Sequence, residues 1–129
     1  PYCCELRRLI KKSSGKSQLI FKEGIYICTE GPRFETAAEI NAYRNWGADF
    51  VGMTGIPEVV LAKELGLCYM GIGIITNWAT GMAHDHKIEE IMEKVAENKS
   101  KLTRFLFNLI ETNNFTQENC QCLNANITM

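Results

Sequence analysis

Apolar and polar residues recur along the chain at the intervals that helices and short strands require. Apolar positions three and four residues apart, with charged residues between them, are typical of amphipathic helices. Short, mostly apolar runs bounded by glycine, proline or serine are typical of strands. In chain order, the pattern predicts a helix at residues 3–13, strands at 18–22 and 24–29, a helix at 36–46, a strand at 48–53, a helix at 57–65, a strand at 67–76 and a long helix at 85–111.

Glycines and prolines mark the boundaries between these elements. Gly31-Pro32 separates a predicted strand from a predicted helix and requires a sharp turn, because proline fixes φ and glycine tolerates positive φ. Gly47 and Gly66 follow two helices at the position where glycine suits a left-handed cap. The helix at 57–65 is expected to pack three apolar side chains, those of Val59, Val60 and Leu61.

The alternation of strands and helices with short connections predicts an α/β fold with a mostly parallel sheet flanked by helices. The segment 67–76 is nearly all apolar, as in a strand covered on both faces. About three strands make a small sheet, and the chain opens without Met directly into a helical pattern. We therefore expect a partial sheet that pairs with further polypeptide. The Asn/Gln/Thr-rich segment 113–129 has no sustained period and is expected to be a disordered tail.

Charge and hydropathy exclude some classes of partner. The 14 basic and 15 acidic residues give a net charge of −1 without a basic block, so nucleic acid and anionic membranes are not expected partners. No apolar run reaches the roughly 18–20 residues of a membrane span. The first ten residues are charged and do not resemble a signal peptide. We expect a cytoplasmic protein.

The six cysteines are consistent with a reducing compartment, because they are not spaced as a disulfide framework. Cys28 and Cys68 lie inside apolar runs, where cysteine behaves as a small hydrophobe. No metal is expected, since the His-Asp-His at 84–86 has no second ligand pair at the spacing of a zinc finger. Three glycosylation sequons, at Asn98, Asn114 and Asn126, argue weakly for the opposite compartment.

Polar side chains follow the predicted strands at one rim, where open α/β sheets bind ligands. Phe34 can cover a flat ring and Glu35 can accept ring N–H groups, or Phe34 fills the core and Glu35 caps a helix. Thr54 precedes a helix N-terminus and either belongs to an anion site or only caps the helix. Asn77 can read the edge of a heterocycle or serve as a turn residue.

Four segments closely resemble motifs of the trimeric purine nucleoside phosphorylase / methylthioadenosine phosphorylase family, and the spacing between them also matches. They are Glu30-Gly31-Pro32-Arg33-Phe34-Glu35-Thr36, Gly47-Ala48-Asp49-Phe50-Val51-Gly52-Met53-Thr54, Pro57-Glu58-Val59-Val60-Leu61-Ala62 and Ile75-Thr76-Asn77. The resemblance covers about residues 1–111 and corresponds to the C-terminal half of such an enzyme. It assigns residues 1–112 to part of a nucleoside phosphorylase domain and 113–129 to a tail.

The resemblance implies phosphorolysis, in which a purine nucleoside and phosphate give the free base and a pentose 1-phosphate. Phosphate is a co-substrate, and no metal or organic cofactor is implied. The family's assembly implies a homotrimer. Its glycine-rich phosphate loop and its phosphate-binding Arg and His precede the matched region, so we expect the 129 residues alone to be inactive.

The resemblance also implies roles for residues around the base. The ring of Phe34 stacks near the purine, the carboxylate of Glu35 binds its N1–H side, and Val51 lines it. Asn77 hydrogen-bonds the leaving base near N7 and O6 and is the expected catalytic residue. Methylthioadenosine phosphorylases carry Asp where Asn77 stands, so Asn77 with Glu35 implies a preference for 6-oxopurines.

Around the sugar and phosphate, the resemblance implies that Tyr26 and Met53 flank the ribose and that Thr54 binds phosphate. A histidine near the start of the last helix meets the 5′-hydroxyl, and His86 is assigned this role with His84 as the alternative. Arg33 has no assignment. Some archaeal methylthioadenosine phosphorylases have a C-terminal Cys-x-Cys, and its likeness to Cys120 and Cys122 is taken as coincidence.

Alternative functions remain open from the sequence. A methylthioadenosine or methylthioinosine phosphorylase has the same motifs but acts on a nucleoside with a different 5′ substituent on its sugar. A truncated paralogue would bind purines without catalysis. A hydrolase of related fold would use water, which a site for an anion next to Thr54 disfavours.

Overall fold

The computed structural model describes residues 1–15, 17, 19–83 and 88–124. Its elements in chain order are the helix α1 (Cys4–Ser14), the strand β1 (Tyr26–Cys28), the helix α2 (Ala37–Asn45), the strand β2 (Phe50–Gly52), and the helices α3 (Gly55–Glu64) and α4 (Ile88–Thr112). The strands β1 and β2 pair in parallel, with Tyr26 opposite Phe50 and Cys28 opposite Gly52. The predicted α/β class is thus confirmed. None of the described helices is both long enough and apolar enough to cross a membrane.

The chain divides into two compact units. The first comprises Pro1–Phe21, Pro57–Gly73 and Lys99–Met129, and the second comprises Lys22–Ile56 and Ile74–Asn98. The core of the first unit is built from α3, α4 and residues next to them, with Cys3, Val59, Ala62, Phe105, Leu109 and Cys122 buried. The ring of Phe21 packs against that of Phe105 at a centroid distance of 4.8 Å.

Helix α3 begins at Gly55, two residues before the predicted start. Of the three side chains expected in its core face, only Val59 is buried, whereas Val60 and Leu61 are 48% and 59% exposed. Ala62 is the second buried residue, because positions three apart share one face of a helix with 3.6 residues per turn. The expectation for Val60 and Leu61 was therefore wrong.

Local signals define α2 in the second unit. The Thr36 side chain accepts a hydrogen bond from the Glu39 N–H, and the Glu39 carboxylate accepts one from the Thr36 N–H, which is a capping box. Gly47, with φ of +89°, follows the helix in the left-handed conformation that the sequence predicted. Ile40 is the buried side chain of this helix.

Several predicted strands are shorter or missing. The strands at 24–29 and 48–53 are reduced to three residues each. The strand at 67–76 and the described part of the strand at 18–22 do not form. A strand is defined by ladder hydrogen bonds to a neighbour, and β1 and β2 are the only paired strands in the part of the chain that the structure describes. Within the predicted strand at 67–76, the Tyr69 carbonyl accepts a hydrogen bond from the Cys3 N–H at 2.8 Å.

The long helix α4 starts at Ile88, and the predicted positions 85–87 lie outside the described residues. It ends at Thr112, the last residue of the predicted domain. Beyond it, residues 113–124 are described as turns and irregular chain, in which Cys122 is buried and the Gln117 amide donates to the Gly66 carbonyl at 2.9 Å. Residues 125–129 are not described, so the disordered tail stays a prediction.

Candidate functional site

The carboxyl ends of β1 and β2 bring the two following loops together. The Thr29 N–H continues the pairing and donates to the Gly52 carbonyl at 2.9 Å. Gly31 turns the chain with φ of +66°, and a Cβ added there would lie 2.8 Å from Sδ of Met53. Only glycine meets both conditions without strain. The loop after β1 therefore contacts the residue that follows β2, as expected for two parallel strands that end at one rim.

Glu35 is the only buried polar or charged side chain among the described residues, at 7% exposure. The Thr29 hydroxyl donates to its Oε1 at 2.5 Å. Its Oε2 accepts no hydrogen bond from any residue in the described ranges. Because a buried carboxylate oxygen without a donor is costly, this position is suited to a ligand that supplies one.

The structure does not give Phe34 and Glu35 the core-filling and capping roles of the alternative interpretation. Phe34 is 75% exposed, so it does not fill the core. The cap of α2 is made by Thr36 and Glu39, so Glu35 is not the capping residue. The two side chains thus have no structural role of the kind that the alternative interpretation required.

Arg33, which the sequence left unassigned, binds Glu39 through two hydrogen bonds of 2.9 and 2.7 Å. Its guanidinium also donates to the Phe34 carbonyl at 3.1 Å. The Arg33 guanidinium, together with the Thr36 N–H and hydroxyl, lowers the pKa of Glu39 to about 2. Arg33 therefore ties the loop that carries Phe34 to the first turn of α2.

Tyr26 lies against the beginning of α3. Its hydroxyl accepts a hydrogen bond from the Gly55 N–H at 3.4 Å, and a Cβ added at Gly52 would lie 2.8 Å from the Tyr26 hydroxyl. Burial raises the pKa of Tyr26 above its usual value. Thr54, directly before α3, is exposed, and its assignment to a phosphate site stays a prediction.

Val51 and Met53 lie in and directly after β2 and are half-buried. Val51 pairs with Ile27 in the middle of the sheet, whereas Met53 lies at its carboxyl end next to Gly31. Tyr26 begins β1, but its hydroxyl reaches the carboxyl end of the sheet. Met53 and Thr54 follow β2 at that end, from which the loop to Glu35 also departs.

Asn77 is exposed and makes only local hydrogen bonds among the described residues. Its Oδ1 accepts from the Thr76 hydroxyl at 2.6 Å, and its Nδ2 donates to the Trp78 carbonyl at 2.8 Å. Its loop nevertheless returns to α2, since a Cβ added at Gly81 would lie 2.6 Å from Cβ of Ala37. The local bonds are those of a turn residue, and no hydrogen bond joins Asn77 to Glu35 in the described chain.

His84 and His86 lie outside the described residues, so the assignment of His86 to the sugar stays a prediction. Sequence reasoning missed Thr29, the donor to Glu35. Its signal was available, since Thr29 directly follows β1 and therefore shares the rim with the loop residues.

A cluster of four cysteines lies in the first unit. The sulfur atoms of Cys3, Cys68, Cys120 and Cys122 all lie within 4.8 Å of one another, and all four thiols are free. Burial raises the pKa of Cys122 to about 12, whereas a hydrogen bond from the Cys122 backbone lowers the pKa of Cys120. Sequence analysis weighed only the His-Asp-His at 84–86 as a metal site and did not predict this cluster.

Comparison with known proteins identifies the family. The model of the phosphorylase superfamily matches residues 1–111. The chain is 45% identical over 126 residues to "Probable S-methyl-5'-thioinosine phosphorylase" of Methanocaldococcus jannaschii, covering 97% of this chain and 49% of that protein. It is 42% identical over 130 residues to the 6-oxopurine nucleoside phosphorylase of Pyrococcus furiosus, covering 97% of this chain and 48% of that protein.

A solved structure of purine nucleoside phosphorylase from Schistosoma, in complex with hypoxanthine, superimposes with a TM-score of 0.77 at 27% identity. The alignment covers 86% of this chain and 41% of that one. The chain spans about half the length of the curated relatives it matches. With a family model that matches nearly all of α1 to α4 and relatives above 40% identity, the chain belongs to the phosphorylase superfamily.

Proposed function

We propose that the whole protein to which this chain belongs is a purine nucleoside phosphorylase that prefers 6-oxopurine nucleosides. The observation that carries the proposal is the buried Glu35 carboxylate, which has one oxygen held by Thr29 and one without a donor in the described chain. In a 6-oxopurine, N1 carries a hydrogen and can donate to that oxygen. In a 6-aminopurine, N1 carries a lone pair, which an ionised carboxylate repels.

The reaction breaks the glycosidic bond while phosphate attacks the anomeric carbon, so that the sugar gains positive charge and the purine gains negative charge. Groups that bind this charge more strongly in the transition state than in the ground state accelerate the step. In this proposal the Asn77 amide donates to the base near N7 and O6 as charge develops there. The Asn77 side chain then gives up its exposed hydrogen bonds to Thr76 and Trp78 and forms hydrogen bonds to the base instead.

The remaining residues position the substrates. The exposed ring of Phe34 stacks on the purine, and Val51 lines the base. Tyr26 and Met53 flank the sugar, and His86 meets its 5′-hydroxyl. The Thr54 hydroxyl, directly before α3, binds phosphate, and the positive end of the helix dipole favours an anion at this position. Phosphate is a co-substrate, and the step uses no metal or organic cofactor.

We also propose that the whole protein is a cytoplasmic homotrimer that acts in purine salvage. A related candidate is the phosphorolysis of S-methyl-5'-thioinosine, and the name of the Methanocaldococcus jannaschii relative supports it. Both candidates share the 6-oxopurine base and differ only at the 5′ position of the sugar. Glu35 therefore does not distinguish the two candidate substrates. The residues that contact the 5′ substituent of the sugar decide between them.

The experiment is to measure kcat/KM of the whole protein for inosine, adenosine, S-methyl-5'-thioinosine and S-methyl-5'-thioadenosine, with and without phosphate. We expect phosphate-dependent release of base with both inosine-type substrates preferred over their adenosine-type partners. Equal or faster turnover of the 6-aminopurine substrates refutes the preference. Release of base without phosphate identifies a hydrolase and refutes the reaction.

A further inference from the structure

Four thiols from three distant parts of the chain converge in the first compact unit. Cys3 precedes α1, Cys68 follows α3, and Cys120 and Cys122 lie in the turns after α4. All pairs of sulfur atoms lie within 4.8 Å, and the sulfur atoms of Cys68 and Cys120 are 3.4 Å apart. Cysteines at such separations in sequence meet only because the fold brings them together.

The distances fit one tetrahedral metal ion. Zinc binds thiolate at about 2.3 Å, so the corners of a regular tetrahedron of sulfur atoms lie about 3.8 Å apart. The observed separations, from 3.4 Å for one pair up to a limit of 4.8 Å, bracket that value. A two-iron cluster would separate two pairs of thiolates further, because two metal ions and bridging sulfides lie between them.

The surroundings also suit thiolate ligands. The Gln117 amide, fixed by its hydrogen bond to the Gly66 carbonyl, donates to the Cys68 sulfur at 3.6 Å. Such outer donors orient metal-binding thiolates. Cys3 and Cys122 are buried at 2% and 5% exposure, whereas Cys68 and Cys120 are partly accessible and leave a path for the ion.

We propose that Cys3, Cys68, Cys120 and Cys122 form a structural zinc site. Binding of Zn²⁺ to the four thiols releases four protons and leaves a tetrathiolate complex with a net charge of −2. All four positions are then occupied by protein, so the ion takes no part in catalysis. It cross-links the segment before α1 and the turns after α4 to the segment that follows α3. This proposal departs from the sequence-based expectation of no metal.

The test starts with the whole protein purified under reducing conditions without added chelator. Elemental analysis is expected to find about one zinc ion per chain. Removal of the zinc and titration with Co²⁺ should then give the visible absorption of tetrahedral cobalt together with thiolate-to-cobalt charge transfer. Both signals are independent of enzymatic activity and need no variant that might misfold.

Variants locate the site. Cys122→Ser is expected to lose the stoichiometric zinc and to change the cobalt spectrum, whereas Cys28→Ser, outside the cluster in β1, should retain both. The proposal is overturned if the reduced protein neither retains zinc nor gives the cobalt signature. It is also overturned if the isolated protein holds iron at this site, or if mass spectrometry of anaerobically purified protein shows the four cysteines paired as disulfides.

Discussion

Replacing Glu35 with glutamine tests the origin of base selectivity with almost no change in size. The glutamine can still accept from the Thr29 hydroxyl through Oε1, which preserves the 2.5 Å contact that holds the native side chain. Its second polar atom is now an N–H₂ donor in place of Oε2. That donor opposes N1–H of a 6-oxopurine but matches the N1 lone pair of a 6-aminopurine.

The expected magnitude follows from burial. Glu35 is 7% exposed, so water does not replace a lost ligand bond efficiently. A hydrogen bond to a charged group contributes about 1.5–3 kcal/mol, and about 1.4 kcal/mol corresponds to a tenfold change in rate. We expect kcat/KM for inosine to fall about 10- to 150-fold. The value for adenosine should be unchanged or should rise, so the ratio of the two is the informative quantity.

The assay is steady-state phosphorolysis by the whole protein at saturating phosphate, with both substrates measured on the same preparation. Glu30→Gln, an exposed carboxylate in the same loop, is the matched control and should leave both values unchanged. Thermal unfolding of each variant separates loss of fold from loss of recognition. The proposed role of Glu35 is refuted if the folded Glu35→Gln variant keeps its kcat/KM for inosine. It is also refuted if kcat/KM falls by the same factor for inosine and adenosine.

Three further predictions concern stability. Gly31→Ala forces a side chain to φ of +66° and should destabilise the protein by at least about 1–3 kcal/mol in denaturant unfolding, whereas Gly15→Ala, at φ of −61° in open space, should not. Phe105→Ala, which empties a buried position, should cost about 3–5 kcal/mol, whereas the exposed Phe107→Ala should cost under about 0.5 kcal/mol. The pKa of Glu39 is lowered from 4.5 to about 2 on folding, so its stabilisation is complete above pH 4.5 and is lost as the pH falls through about 2; Glu39→Gln should remove this part of the acid dependence of unfolding.

Each of these predictions has a clear contrary result. Equal stability of the two glycine variants would show that the turn after β1 tolerates a side chain. Equal cost of the two phenylalanine variants would show that α4 does not present the expected face to the core of the first unit. An unchanged acid limb for the Glu39 variant would show that the capping carboxylate is not ion-paired in solution.

The elements that the sequence predicted well are those set by local chemistry. The capping box of Thr36 and Glu39 and the left-handed glycine at 47 determine both ends of α2 within a few residues. The segment 67–76 failed as a strand because apolar character does not supply the neighbouring strand that ladder hydrogen bonds require. The expected cover on both faces is also missing, since Leu67 and Ile75 are 51% and 68% exposed. Both burial and pairing depend on what packs against the segment, so neither could be read from this segment alone.

The candidate site shows the same division. The position of Glu35 after a strand and before a helix was visible in the sequence, together with its neighbour Phe34. Its burial and its bond to Thr29 depend on how β1 and the following turn fold back, which no local pattern specifies. The cysteine cluster was hidden for a similar reason, because Cys3 and Cys122 lie at opposite ends of the described chain.

The most direct measurement is a crystal structure of the whole protein with hypoxanthine and phosphate bound. The account predicts that Oε2 of Glu35 lies about 2.7–2.9 Å from N1 of the base, the length of a charge-assisted hydrogen bond. It also predicts that the Asn77 amide reaches N7 or O6 of the same ring. A base bound elsewhere, or one that leaves Glu35 and Asn77 on separate faces without a shared cavity, would contradict it.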